Sequence, residues 1–167
     1  MNVTYEHKPA MALIGYSTLI RPEKGYAKCP AFWEEEYRCK YARLWQTMQP
    51  ETPVEQAILE NGIGLFAICD EKDGAFEYWI AGLYQGGRVP ERLKLYTFPA
   101  SEWAVFSAKG PLPGSLQAMN TQIWQEWYPN EGQAYRANGK AMLVLRGHPL
   151  YPAGHHAQIP AHEHFCA

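Results

Sequence analysis

The run Phe76-Glu77-Tyr78-Trp79-Ile80-Ala81-Gly82-Leu83-Tyr84 most constrains what this chain can become. It is the most strand-like segment present, and Gly86-Gly87 stops it. Alternation sends Phe76, Tyr78, Ile80 and Gly82 to one side and Glu77, Trp79, Ala81 and Leu83 to the other. Apolar and aromatic residues on both sides mark a central strand covered on both faces. The one acid in it must then sit at a wet end or be neutralised by a partner or ligand.

The remaining elements are read around that strand. A polar lead precedes a first strand at Ala10–Tyr16, with a bend or bulge at Gly15. A charged loop over 21–30 ends at Pro30, which suits the start of a helix over 31–48. Its stripe is Trp33, Tyr37, Tyr41, Leu44, Trp45 and Met48, at steps of three and four. Val54–Leu59 adds a turn or two of helix, Asn61-Gly62 stops it, and Gly64–Cys69 is a short strand. Asp70–Gly74 then turns as a hairpin into the central strand. The second half repeats the order: an extended piece at Leu95–Pro99, a strand at Trp103–Lys109, and a helix striped by Leu116, Met119, Ile123, Trp124 and Trp127. Pro129-Asn130-Glu131-Gly132 ends that helix, Ala141–Leu145 is a strand, and Ala157–Ile159 is the expected last one.

The expected fold class is therefore α+β. Two pseudo-twofold strand–helix–strand–strand repeats, 1–85 and 86–160 with a tail at 161–167, build one domain. They form an antiparallel sheet with two helices on one face and a ligand cleft at the seam between repeats. At 167 residues one domain is the default, and 14% aromatic content, with 11 Tyr and 6 Trp, exceeds what a core needs.

Charge excludes some partners. The net charge is −2, and the densest basic cluster along the sequence, Arg38, Lys40 and Arg43, is interleaved with Glu34, Glu35 and Glu36 on one helix. That reads as a solvated face, so no direct nucleic-acid role is expected. No apolar run reaches membrane-spanning length and no signal-peptide pattern leads the chain. Cys29, Cys39, Cys69 and Cys166 lack metal or redox spacing and are read as reduced and cytoplasmic. His155, His156, His162, Glu163, His164 and Cys166 invite a metal reading, but His-x-His at a terminus is poorly preorganised. No metal and no cofactor is expected. Gly86-Gly87 and Gly110-Pro111-Leu112-Pro113-Gly114 are turns, without the spacing of phosphate loops.

The order and spacing of several segments carry a family resemblance. These are Leu44-Trp45, Gly62-Ile63-Gly64, Asp73–Gly82, Tyr96–Phe106, Lys109–Pro113 and Trp124–Pro129. Over roughly residues 3–147 the chain resembles the GyrI-like effector-binding domains, which are joined to AraC-type and MerR-type transcription regulators and also occur alone. The resemblance implies a stand-alone cytoplasmic, bacterial member without a helix-turn-helix module. It also implies a pseudo-twofold α+β fold whose cleft takes bulky aromatic, often cationic, drug-like compounds. Some relatives are hydrolases of cyclopropanoid electrophiles that use a Tyr and a Glu, and others are linked to gyrase inhibition. Where relatives often carry acids, this chain has Leu143, and His156 in the segment His156–Pro160.

The candidate ligand-binding residues are Glu77, Tyr78, Trp79, Glu102, Trp103 and Phe106. A carboxylate among aromatic rings attracts an organic cation through charge and cation–π contacts. The leading expectation is multidrug-type binding of a bulky aromatic, possibly cationic molecule. A hydrolase is the alternative, with Glu77 or Glu102 as base and Tyr78 as acid. A protein-interaction module is the third reading. The bland reading leaves the acids in solvent at strand ends and the aromatics in the core. An uncovered sheet edge near the tail would favour a homodimer.

Overall fold

A computed structural model describes residues 2–111, 114–137 and 141–146. Its strands are β1 Val3–Lys8, β2 Met11–Ile20, β3 Phe66–Lys72, β4 Ala75–Leu83, β5 Lys94–Phe98, β6 Ser101–Ala108 and β7 Ala141–Arg146. Its helices are α1 Gly25–Trp33, α2 Ala42–Thr47, α3 Pro53–Asn61, α4 Gly114–Gln122 and α5 Gln133–Ala137. The class is α+β with largely antiparallel sheets, as the pattern of elements predicts. The strands form two sheets, ordered β1-β6-β7 and β3-β4-β2-β5, where one was expected. The described residues divide into two compact units accordingly: 11–98, and 2–10 with those from 99 to 146.

In the unit built from 11–98, β4 lies between β2 and β3, and β5 flanks β2, all antiparallel. The opening strand is central, as its two-sided apolar pattern requires. One face packs under helices. Ile14, Tyr16 and Ile20 of β2 and Tyr78 and Ile80 of β4 meet Trp33, Tyr37, Tyr41 and Leu44, together with Ala57 and Ile58 of α3. Several polar ring atoms in this core are paired: Trp33 Nε1 donates to Tyr78 Oη at 2.8 Å, and Tyr16 Oη to Tyr41 Oη at 2.6 Å. Helix α3 starts on a capping box, Thr52 with Glu55, and ends on Gly62 at φ 59°. The chain beyond α3 then crosses β4 so closely that a Cβ on Gly82 would lie 2.1 Å from the Asn61 carbonyl oxygen. Gly15 answers the same need on β2, where a Cβ would sit 2.1 Å from the Ile80 carbonyl oxygen.

In the other unit, β1 runs antiparallel and β7 parallel to β6. The parallel pair is joined by the helical crossover that such a pair needs. Ala104 and Phe106 of β6 pack on Ile123 and Trp127, with the Phe106 and Trp127 rings 5.0 Å apart.

Several elements differ from expectation. The polar lead forms β1, an edge strand whose residues are mostly exposed and so carry no apolar signal. β2 continues to Ile20, and the charged stretch after it is helical: a 3₁₀ turn at Pro22–Lys24 and then α1, with Pro30 inside. Pro129 also lies inside a helix, in a π-helical stretch Ile123–Gly132 that continues into α5. A second π stretch, Glu34–Cys39, follows Pro30. Both prolines thus stand in or near a shifted hydrogen-bond ladder, where a missing N–H disturbs least. The edge strands also exchange: β1 joins the sheet of β6, and β5 joins that of β2. The expected strand at Ala157–Ile159 and the His-rich tail lie outside the described residues.

Candidate functional site

The strand register decides which candidates meet. Glu77 and Trp79 point away from the helices, on the face they share with Leu13, Ser17, Ile68, Asp70, Lys94, Tyr96 and Phe98. Trp79 is only 3% exposed and packs with Leu13, Ile68 and Ala81. Its ring lies 5.4 Å from that of Tyr96, which lies 4.7 Å from Phe98. The indole Nε1 of Trp79 is buried and has no hydrogen-bond acceptor among the described residues.

Polar groups frame this aromatic surface. Ser17 Oγ donates to Glu77 Oε1 at 2.6 Å, and Lys94 Nζ donates to Ser17 Oγ at 3.1 Å while standing 3.6 Å from the same carboxylate oxygen. Asp70 sits opposite Glu77 in the β3–β4 register and is held by Lys72 at 2.6 Å. Burial first, then the Asp70 charge and a hydrogen bond to it, with Glu77 adding to the effect, push the Tyr96 hydroxyl up to about 12. Two half-buried carboxylates therefore lie on one face of the sheet with aromatic rings. Each has a lysine as counter-charge.

The other expected residues go elsewhere. Tyr78 is fully buried under the helices, on the face of β4 opposite Glu77. Glu77 and Tyr78 therefore cannot act as base and acid on one substrate atom. Glu102 and Phe106 lie on the helical side of β6, and burial, then the Glu102 charge, push the Tyr135 phenol up to about 12. Trp103 is on the other face of β6 and 5% exposed.

Asp70, Ser17, Lys94 and Tyr96 were not among the expected residues. Asp70 was within reach of the sequence, because the two-residue Asp73-Gly74 turn pairs Lys72 with Ala75 and so Asp70 with Glu77. Tyr96 and Lys94 were not, since nothing local reveals that β5 pairs with β2. Among the described residues no group of three His, Cys, Asp or Glu side chains could hold a metal ion. No helix among them is long and apolar enough to cross a membrane.

The family model for the GyrI-like small molecule binding domain matches residues 1–148. The chain belongs to this family. Among solved structures, the GyrI-like fold is matched by SAV2435 bound to tetraphenylphosphonium, at 21% identity and a TM-score of 0.58, over 80% of this chain and 76% of that one. It is also matched by a Staphylococcus aureus MU50 protein provisionally described as a bacterial transcription regulation protein, at 20% identity and a TM-score of 0.52, over 80% and 79% of the two chains. At these identities the likeness is one of fold. No curated protein matches the sequence.

Proposed function

We propose that this GyrI-like domain binds a bulky aromatic cation on the face of its β3-β4-β2-β5 sheet that turns away from the helices. Glu77 and Asp70 supply the charge, and the partly buried Tyr96 and Phe98, backed by the buried Trp79, the ring surface. The observation that carries this reading is a pair of half-buried carboxylates on the same sheet face as packed aromatic rings, each countered by a single lysine. Tyr78, Glu102 and Phe106 serve packing. That SAV2435 was solved with tetraphenylphosphonium supports the class of ligand. Binding without turnover is favoured, because Glu77 and the expected acid Tyr78 stand on opposite faces of one strand.

The test is titration with tetraphenylphosphonium, read by tryptophan fluorescence, beside neutral triphenylphosphine oxide. A carboxylate about 5 Å from a cation is worth roughly 1–2 kcal/mol once partial exposure is allowed for, or about 5–30-fold in affinity. Glu77→Gln weakens the phosphonium by that factor and leaves the neutral oxide unchanged. Equal effects on both ligands, or none on either, refute the assignment of Glu77.

A further inference from the structure

Strand β2 outruns its outer neighbour. β5 pairs with it only from Met11↔Phe98 to Gly15↔Lys94, whereas β4 pairs with it as far as Ile20↔Phe76. Among the described residues, 16–20 therefore carry a ladder on one side only. They also line a groove of about 820 Å³ whose walls come from β2, α1, the helical stretch after it and the segment leading into β5.

Five cations stand around this groove: Arg21, Lys24, Lys28, Arg92 and Lys94. The first four make no ion pair with another described residue. Two separate stretches of chain, 21–28 and 92–94, contribute them, so their clustering is not visible in the sequence. Between the charges the groove has apolar surface: buried Ile20, partly buried Phe32, and Leu19, which is 68% exposed. Two acids, Glu35 and Glu36, lie on the helical wall, and Glu36 is engaged by Lys40 at 2.7 Å.

We propose that the groove takes an extended acidic segment of a partner protein, added as a further strand along residues 16–20 of β2. An unpaired strand edge offers main-chain donors and acceptors at the spacing that a peptide backbone matches. The cations meet alternate carboxylates of such a segment, and Leu19 and Phe32 meet the apolar side chains between them. A nucleic acid fits less well. It has no main chain to continue a ladder, and Glu35 on the wall opposes its phosphates. The groove adjoins the aromatic face and shares Ser17, Leu19 and Lys94 with it, Leu19 standing opposite Glu77 in the β2–β4 register.

The test uses the full chain and a fluorescein-labelled peptide of about ten residues alternating Glu with Val or Thr, read by anisotropy. Saturable binding is expected. It should weaken roughly tenfold or more when alternate peptide nitrogens are methylated in one of the two registers, which removes ladder donors without touching the protein. It should weaken similarly in the triple variant Arg21→Glu, Lys24→Glu, Lys28→Glu, whose positions are all exposed, so an unchanged circular dichroism spectrum is expected. No binding overturns the proposal. So does equal affinity for both methylated registers and the parent peptide, or indifference to the charge reversal. Tighter binding of an oligothymidylate of the same length would make the groove a nucleic-acid site instead.

Discussion

Removing Lys94 should strengthen cation binding, and the structure sets how far. Its ammonium stands 3.6 Å from Glu77 Oε1 and so competes with any ligand cation for that carboxylate. At that separation an effective dielectric of about 20 gives roughly 5 kcal/mol of attraction. The lysine side chain is 63% exposed, however, and measured pairs of that kind contribute about 0.5–1 kcal/mol. Lys94→Gln should therefore raise tetraphenylphosphonium affinity by about 2–5-fold. The increase must depend on Glu77: in a Glu77→Gln background, Lys94→Gln should change nothing. Isothermal titration of the four proteins closes the cycle and yields the coupling directly. A Lys94→Gln variant that binds the phosphonium more weakly, or gains equally in both backgrounds, refutes the competition and with it the placing of the cation at Glu77.

Further outcomes follow from the geometry. Trp33→Phe deletes the indole N–H that Tyr78 Oη accepts and leaves a gap in the core, so urea unfolding should show a loss of about 2–3 kcal/mol. Trp124→Phe, at a residue 43% exposed, should cost less than about 0.5 kcal/mol. Met48 closes α2 in the left-handed region at φ 54°, so Met48→Gly should raise stability by about 0.5–1 kcal/mol in the same assay. Tyr96 loses its proton near pH 10 when unfolded and near 12 when folded, so between those values the native state holds a proton that the unfolded state has lost. Stability then falls as pH rises through that window. Absorbance at 295 nm should show the Tyr96 transition move down in Asp70→Asn.

The sequence reveals the central strand, the helical stripes and the hairpin because each depends on neighbours in the chain. Tyr37, Leu44 and Ile58 are buried where a period of 3.6 places them, and Asp73-Gly74 turns where that dipeptide favours a turn. What is lost depends on distant partners. β1 has no apolar face to announce it and exists because β6 offers it an edge. Arg21 and Arg92 share a groove although some 70 residues of chain separate them. Glu77 and Tyr78 fail to meet for a simpler reason. Tyr78 is next to Glu77 in sequence, and adjacency in a strand guarantees opposite faces.

That parity also accounts for the acid in the opening strand. On the helical face, Glu77 would lie in an apolar and aromatic core where Tyr78 Oη is already engaged by Trp33 Nε1. On its actual face the charge is met by Ser17 and by Lys94, and its neighbour Asp70 by Lys72. The counter-charges are lysines, which bring one mobile point charge each, where arginine would hold a carboxylate in a planar, two-bond clamp. A lysine can swing into water and surrender its carboxylate to another cation without leaving either charge buried and unpaired. Such a face is neutral when empty and can become neutral again around a ligand, and the aromatic rings then distinguish a bulky organic cation from a solvated metal ion.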